Sequence, residues 1–340
     1  MFAPIEFGTT NFEERITRRD GAWTILHRDV MTPPDAPVWT ASERGPAAPV
    51  EALPRDGALT RRTFRFEDVP EGADPVAGRL PVLFNRHLTL SWLSADSASP
   101  TTVFTDHDGD QLVCVLEGGA TLDTPCGTLR ANAAEHVLIP RGLAHRWKVD
   151  KLGLRALLVE LRGELSVPRA WRNDYGQLSP DGPFGARDLH RPGWFSRPHQ
   201  VSAPVRCTLR RDGRSYDGSV PYDPFATVGF EGSVYPVSVA WEAPFMRSHA
   251  NGIELFASEQ CSIRTRVTRE DQHPLPSAFD LASLTIDGDG AASLVWDPQG
   301  VAAKPVGVSG AIVIEVCAHE PLRLTANGAL LATKGPQIPR

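Results

Sequence analysis

The chain has 340 residues, 41% of them hydrophobic, with eight Trp and 14 Phe, which is enough apolar material for about two ordinary cores. Its 30 Pro and 29 Gly suit many short strands joined by tight turns, and so an all-β chain. A formal charge of −6 supplies no basic field for phosphate backbones or anionic lipid, so nucleic-acid and membrane partners are not expected.

Residues 1–60 hold a possible opening strand around Ala22 to His27, then a Pro/Ala/Gly-rich run from Met31 to Gly57 that cannot build a core. They are expected to form an N-terminal arm. Over 61–165 the texture changes to alternating segments, at Leu80 to Leu83, His87 to Leu93, Gln111 to Leu116, Gly127 to Arg130, His136 to Pro140 and Gly153 to Leu161. These predict a first antiparallel barrel. Residues 166–224 are polar and proline-rich, which argues against core strands and for a connector. From 225 to 340 a second set of short strands follows, from Ala226 to Phe230 and Ser233 to Ala240 through to Ala311 to Val316, predicting a second, shortened barrel.

Five cysteines, at 114, 126, 207, 261 and 317, are odd in number and never form a CxxC, so reduced thiols are expected and no disulfide framework or zinc ribbon. No segment approaches the roughly 18 apolar residues of a membrane span, and the N-terminus lacks an apolar run, so a soluble, cytoplasmic protein is expected.

The stretch from Phe104 to Trp147 resembles the two signature segments of a cupin barrel, a strand and turn around His107 and Gln111 followed by a strand and turn ending at His145. More of the chain resembles the homogentisate 1,2-dioxygenase family, a group of two-barrel cupins. LFNRHLTLSW (83–92), HDGDQLVCVLEGGATLDTPCGTL (107–129), VLIPRGLAHRW (137–147), NDYGQLSPDGPFGARDLHRP (173–192) and DPFATVGFEGSVYPVSV (223–239) carry the likeness. The resemblance implies a bicupin with an iron site in the second barrel, built from two histidines and a glutamate. This chain departs from that pattern. It reads PLPSAFDLASLTIDGDG at 274–290 and Pro298-Gln299-Gly300 at the loop of the third ligand, and His319 falls beyond the final strand, so the iron site is expected to be absent.

Two other groupings carry chemistry. By resemblance, His249 matches a substrate-contacting histidine and could act as an acid or base, against the reading of a solvated loop histidine. In the first barrel, Gln111 takes the place of the usual cupin glutamate, with His107 near a histidine position and His145 at the second-segment histidine. Two imidazoles and an amide form a weak set for Fe(II) or another divalent metal, against the reading of mouth histidines with no metal. Arg141 and Arg146 are expected at turn and rim, where a guanidinium could pair with a substrate carboxylate. Asp106, Asp108 and Asp110 are expected to build the turn before the strand.

The expected function is therefore action on a small aromatic or carboxylate-bearing molecule without the ancestral iron. The alternatives are a non-catalytic ligand-binding bicupin and an oxygenase with its metal relocated to the first barrel. The resemblance also implies a homo-oligomer.

Overall fold

The computed structural model describes residues 14–18, 23–26, 31–32, 42–44, 60–70, 74–76, 78–96, 102–193, 205–220, 225, 227–231, 235–241, 252–268, 279–286, 291–299, 301 and 310–334. The described residues are overwhelmingly strand. The arm carries β1 (Glu14–Arg18), β2 (Trp23–Leu26), β3 (Met31–Thr32) and β4 (Ser42–Arg44). The next strands are β5 (Arg62–Arg65), β6 (Arg79–Phe84), β7 (Leu88–Ala95), β8 (Val103–Asp106), β9 (Gln111–Thr124), β10 (Gly127–Asn132), β11 (Glu135–Ile139) and β12 (Arg146–Leu161).

The connector contains β13 (Val205–Arg211) and β14 (Arg214–Val220). After it come β15 (Thr227–Glu231), β16 (Val237–Ala240), β17 (Ile253–Ala257), β18 (Cys261–Val267), β19 (Asp280–Ile286), β20 (Ala292–Asp297), β21 (Ile312–Ala318) and β22 (Arg323–Leu324). A short helix, α1 (Ala326–Leu331), and β23 (Thr333–Lys334) end the described chain.

The strands form two large sheets and two small ones. The first large sheet runs β16-β11-β9-β12-β7-β6-β22 with β10 on β9, and the second runs β17-β18-β21-β19-β20-β5-β23. The small sheets are β15-β1-β2-β3 and β4-β14-β13-β8. Three strands, β5, β16 and β22, pair across the boundary expected at 225, the last of them with β6. β5, placed by sequence in the first barrel, pairs with β20 of the second sheet, and β16, placed in the second, pairs with β11 of the first. Sequence order groups a strand with its neighbours in the chain, whereas pairing follows whichever edge is open.

The connector also differs from expectation. β13 and β14 pair antiparallel across all seven residues, and β13 pairs with β8 of the first barrel in parallel. Asp212 and Gly213 both take positive φ, 53° and 71°, the backbone of a two-residue hairpin turn whose twist matches its strands.

β9 is 14 residues long, more than twice the expected Gln111 to Leu116. Gly118 lets it run on, because its φ is 71° and a Cβ there would lie 2.0 Å from the Gly153 carbonyl oxygen of β12. Register then sorts the side chains into two faces. Gln111 stands opposite Glu160, while Cys114 stands opposite both His136 and Leu157, and Leu157 opposite Trp92.

Residues an odd number apart along a strand face opposite sides. Gln111 and Glu160 therefore face one way, and Cys114, His136, Leu157 and Trp92 the other. The second face abuts the second sheet, since His136 Nε2 lies 3.1 Å from Thr265 Oγ1 on β18. One contiguous buried cluster joins Leu112, Leu157 and Val239 to Ile263, Leu284 and Ile314. Each such side chain contributes about 1.5–3 kcal/mol on burial.

Candidate functional site

The polar face of the first large sheet meets β8 and β13, and together they enclose a group of charged side chains. Gln111, at the start of β9, is 1% exposed and its Nε2 donates to Asp106 Oδ2 at 2.8 Å. Arg210 of β13 donates through Nη1 to the same oxygen at 3.3 Å. That nitrogen also donates to Glu160 Oε1 of β12, which accepts from Arg79 Nη1 of β6 at 2.7 Å. The Arg79 and Arg210 guanidiniums lie 4.6 and 5.6 Å from the centre of the Phe104 ring, and Phe104 packs edge-on against His145 at 5.5 Å. Five strands, β6, β8, β9, β12 and β13, thus deliver one cluster.

Burial pushes the Asp106 carboxyl above its usual range, against the pull of Arg210. Burial also works to raise Glu160, but the guanidiniums of Arg210 and Arg79 override it and hold that carboxyl below its usual range. The proton therefore goes to Asp106 before Glu160. Burial drives His145 down to about 4, with the Leu143 carbonyl opposing and the Arg79 charge adding to the fall. Its Nδ1 lies 3.0 Å from the Leu143 carbonyl oxygen, an acceptor, so the ring proton sits on Nδ1 and Nε2 presents a lone pair. His145 Nε2 and Gln111 Oε1 are both buried acceptors without a hydrogen-bond donor, an arrangement that in a native interior calls for a water or a ligand group.

The residues singled out from sequence fall in different places. Gln111 and His145 join the cluster. His107 is half-buried in the turn after β8, where its amide donates to the Arg210 carbonyl at 2.8 Å. Arg141 is half-buried in the loop after β11, with its amide on Asp110 Oδ1 at 2.7 Å and its guanidinium 3.8 Å from Glu164.

Arg146 is not at the rim. It is 1% exposed and donates to Asp123 Oδ2 at 2.9 Å, 5.0 Å over the Phe225 ring. Adjacent strand positions face opposite sides, so Arg146 and its neighbour His145 do not share a pocket. His249 lies outside the described residues.

Of the three aspartates expected to build the turn, Asp106 bonds within it, while Asp108 and Asp110 reach the backbone of distant segments. Asp106 Oδ1 accepts from the Asp108 amide, Asp108 accepts from the Asp212 and Gly213 amides, and Asp110 accepts from Arg141 and Leu165. Asp106 has a second role in the cluster that turn chemistry did not reveal. Sequence reasoning also missed Arg79, Glu160 and Arg210. The signal that could have found Glu160 is a lone carboxylate inside the apolar run LLVEL, since a charge in a buried strand requires a partner.

Whether a divalent metal suits the first barrel can be judged from the charges. Two unpaired acceptors face the cluster, and a histidine whose Nδ1 is held by a backbone carbonyl is oriented as metal-binding imidazoles are. Against this, two guanidiniums occupy the same interior, and among the described residues no group of three or more His, Cys, Asp or Glu side chains is arranged to hold a metal ion. With Arg79 and Arg210 in place, the donors do not fit a divalent cation.

In the second sheet, the described part of the segment where the resemblance puts two iron ligands, 279–286, holds neither His nor Glu. Its one carboxylate, Asp280, accepts from the Gln299 amide at 2.7 Å, Trp296 Nε1 at 3.2 Å and the Leu322 amide at 2.7 Å. His319 follows β21 in sequence, its Nδ1 2.8 Å from the Glu259 carbonyl oxygen.

The described chain is nearly all β, and its two packed antiparallel sheet systems, the first bearing a charged cluster, are of the class expected for a bicupin. A sequence profile described as "Homogentisate 1,2-dioxygenase N-terminal" matches residues 66–240, half of the chain. The chain belongs to the homogentisate 1,2-dioxygenase family.

Among its relatives, a putative dioxygenase of Saccharolobus solfataricus is 23% identical over 55% of this chain and 47% of that protein. Homogentisate 1,2-dioxygenase of Pseudomonas entomophila is 25% identical over 73% of this chain and 54% of that protein. The chain thus spans about half the length of these relatives. Solved structures that resemble it include a cupin 2 conserved barrel domain protein from Leptotrichia buccalis, with a TM-score of 0.40 and 7% identity over 75% of this chain and 95% of that one. Cys114, Cys126, Cys207 and Cys261 are buried and Cys317 is half-buried. Among the described residues no helix is long and apolar enough to cross a membrane.

Proposed function

We propose that this chain is an iron-independent member of its family that binds a small polar molecule in the first barrel and does not carry out ring-cleaving dioxygenation. The observation that carries the reading is the chemistry of the second sheet. Where the resemblance places iron ligands, the described strand offers no imidazole, and Asp280 already accepts three hydrogen bonds. A carboxylate so engaged is a poor ligand, because binding a metal would break three hydrogen bonds and strand the buried Leu322 amide.

The first barrel supplies the complementary support. Gln111 Oε1 and His145 Nε2 are buried acceptors without a donor, which a hydroxyl or N–H of a bound molecule would satisfy. The neutral His145 imidazole favours hydrogen bonding over proton abstraction, since a base of pKa about 4 is weak at neutral pH. A second reading, an oxygenase with its metal moved to the first barrel, is favoured by the orientation of His145 alone and opposed by Arg79 and Arg210.

The test is anaerobic loading with Fe(II), followed by iron analysis and oxygen uptake with homogentisate, the compound named in the relatives. The expected result is no retained stoichiometric iron and no uptake. About one iron per chain together with uptake would overturn the proposal. If that iron vanished in a His107→Ala, His145→Ala double variant, the relocated-metal reading would replace it.

A further inference from the structure

The polar face of the first large sheet carries more unpartnered groups than Gln111 and His145. Ser91 of β7 pairs with Leu158, Leu158 with Val113, Val113 with Val137, and Val137 with Ser238 of β16. Val113 is two residues on from Gln111, and Ser91 is next to Trp92, so this row lies on the face that bears Gln111 and Glu160. It sets three aliphatic side chains between two serines. Both serines are fully buried, and neither Oγ has a hydrogen-bond partner. Ser91 and Glu160 are diagonal neighbours across β7 and β12, about 7–8 Å apart, and Gln111 stands directly opposite Glu160. His145 reaches the group across Phe104, 5.5 Å from that ring's centre.

The chemistry of these atoms selects a ligand. Gln111 Oε1 and His145 Nε2 only accept, and so does Glu160 Oε2, left over because both guanidiniums bond Glu160 through Oε1. The serine hydroxyls accept or donate, and Arg210 Nε adds one bare N–H. Charge is already balanced, with Arg79 and Arg210 bonded to Glu160 and Arg210 to Asp106. A ligand carboxylate would bring a third negative charge in among acceptors, and an ammonium would meet two guanidiniums, so either would be buried without compensation. Hydroxyl groups suit both sides, since each donates to an acceptor and can take the Arg210 N–H. We infer that the first barrel takes a neutral polyhydroxylated molecule of monosaccharide size, its hydroxyls on Ser91, Gln111, His145 and Ser238 and its C–H groups on the aliphatic row between the serines, and that it rejects carboxylates. This rests on the reading of the first barrel as a binder of small polar molecules, and it departs from the carboxylate-bearing class expected from the sequence.

The experiment is saturation-transfer NMR on the whole chain at millimolar ligand, with D-glucose, D-xylose and myo-inositol as neutral probes and benzoate and phenylacetate as carboxylates. At least one neutral probe should receive transfer and neither carboxylate should. A Ser91→Ala, Ser238→Ala double variant should weaken the neutral probe's binding by about tenfold or more. Neither hydroxyl bonds to another protein group, so the double variant should keep the natural chain's urea midpoint, which separates lost binding from lost folding. If that midpoint falls, Ser91→Ala alone is held to the same expectation of weakened binding. Transfer to a carboxylate and to no neutral probe overturns the inference while leaving a small-molecule site in the barrel. Transfer to none of the five, the buried atoms then taking water only, also overturns it, as does neutral-probe binding that the serine variants leave unchanged. Retained iron with oxygen uptake, by contrast, sinks the iron-independent reading whichever probes bind.

Discussion

Single residues show how differently two histidines of one barrel are used. His136, on the face toward the second sheet, has Cys114 Sγ at 3.3 Å on Nδ1 and Thr265 Oγ1 at 3.1 Å on Nε2, and Trp241 packs edge-on against it. Burial lowers it to about 3, while burial pushes the Cys114 thiol up. His145, on the other side, is held near 4. Both imidazoles are thus neutral when folded, whereas the unfolded chain binds their protons near pH 6.5.

Between pH 6.5 and the folded values the unfolded state holds more protons, so this stability is full above pH 6.5 and is lost as pH falls. The loss approaches about 1.4 kcal/mol per pH unit for each imidazole. Glu160, whose pKa is depressed, adds to the loss only at lower pH, and Asp106, whose pKa is raised, partly offsets it. Urea midpoints are expected to fall steadily from pH 7 to pH 4.5, and His136→Gln should flatten that slope. A flat midpoint in the natural chain would contradict the burial of these rings.

At the scale of elements, the β13–β14 hairpin decides whether the cluster exists. Its turn depends on two positive-φ residues, and its tip is fastened because Asp108 accepts from the Asp212 amide at 2.5 Å and the Gly213 amide at 2.8 Å. A branched residue at Gly213 would have to hold a left-handed backbone, at a cost of about 1–2 kcal/mol. Gly213→Val should therefore lower stability by about that amount, and amide hydrogen exchange should quicken along β13 before the rest of the first sheet. Exchange that quickens evenly over the whole sheet would show that the hairpin is not a separate unit. The turn was legible in the sequence as Asp-Gly between alternating runs. The proline-rich composition around it outweighed that signal, and composition reports an average over many residues where a hairpin needs only a few.

Across the whole molecule, the two sheets are interlocked. β5 leaves the first half of the chain to pair with β20, while β16 and β22 of the second half pair with β11 and β6. Thr325, which caps α1, donates from its hydroxyl to the Pro81 carbonyl oxygen at 2.6 Å, a further tie between the last described segment and the first sheet. Dividing the chain at 225 would strip both edge strands, β16 and β22, from the first sheet, take β5 from between β20 and β23 in the second, and expose the face now shared through the common core. Separate fragments 61–224 and 225–340 are expected to lack cooperative unfolding in circular dichroism, whereas the whole chain should unfold in one transition. Two independently cooperative fragments would show that the barrels are autonomous.

The sequence by itself determined the strand-rich class, most strand positions and the family, because alternation of period two and turn residues are local properties that each segment carries alone. The cupin resemblance also singled out Gln111 and His145, which the structure buries. Tertiary structure alone decided which residues share a site. Arg79, Asp106, Glu160 and Arg210 span more than 130 positions of chain, and the pairing of β8 with β13 and of β6 with β12 through β7 brings their strands together. Likewise, that Arg146 is paired with Asp123 and turned away from His145 follows from strand register, which is set by long-range pairing and cannot be read from any one segment.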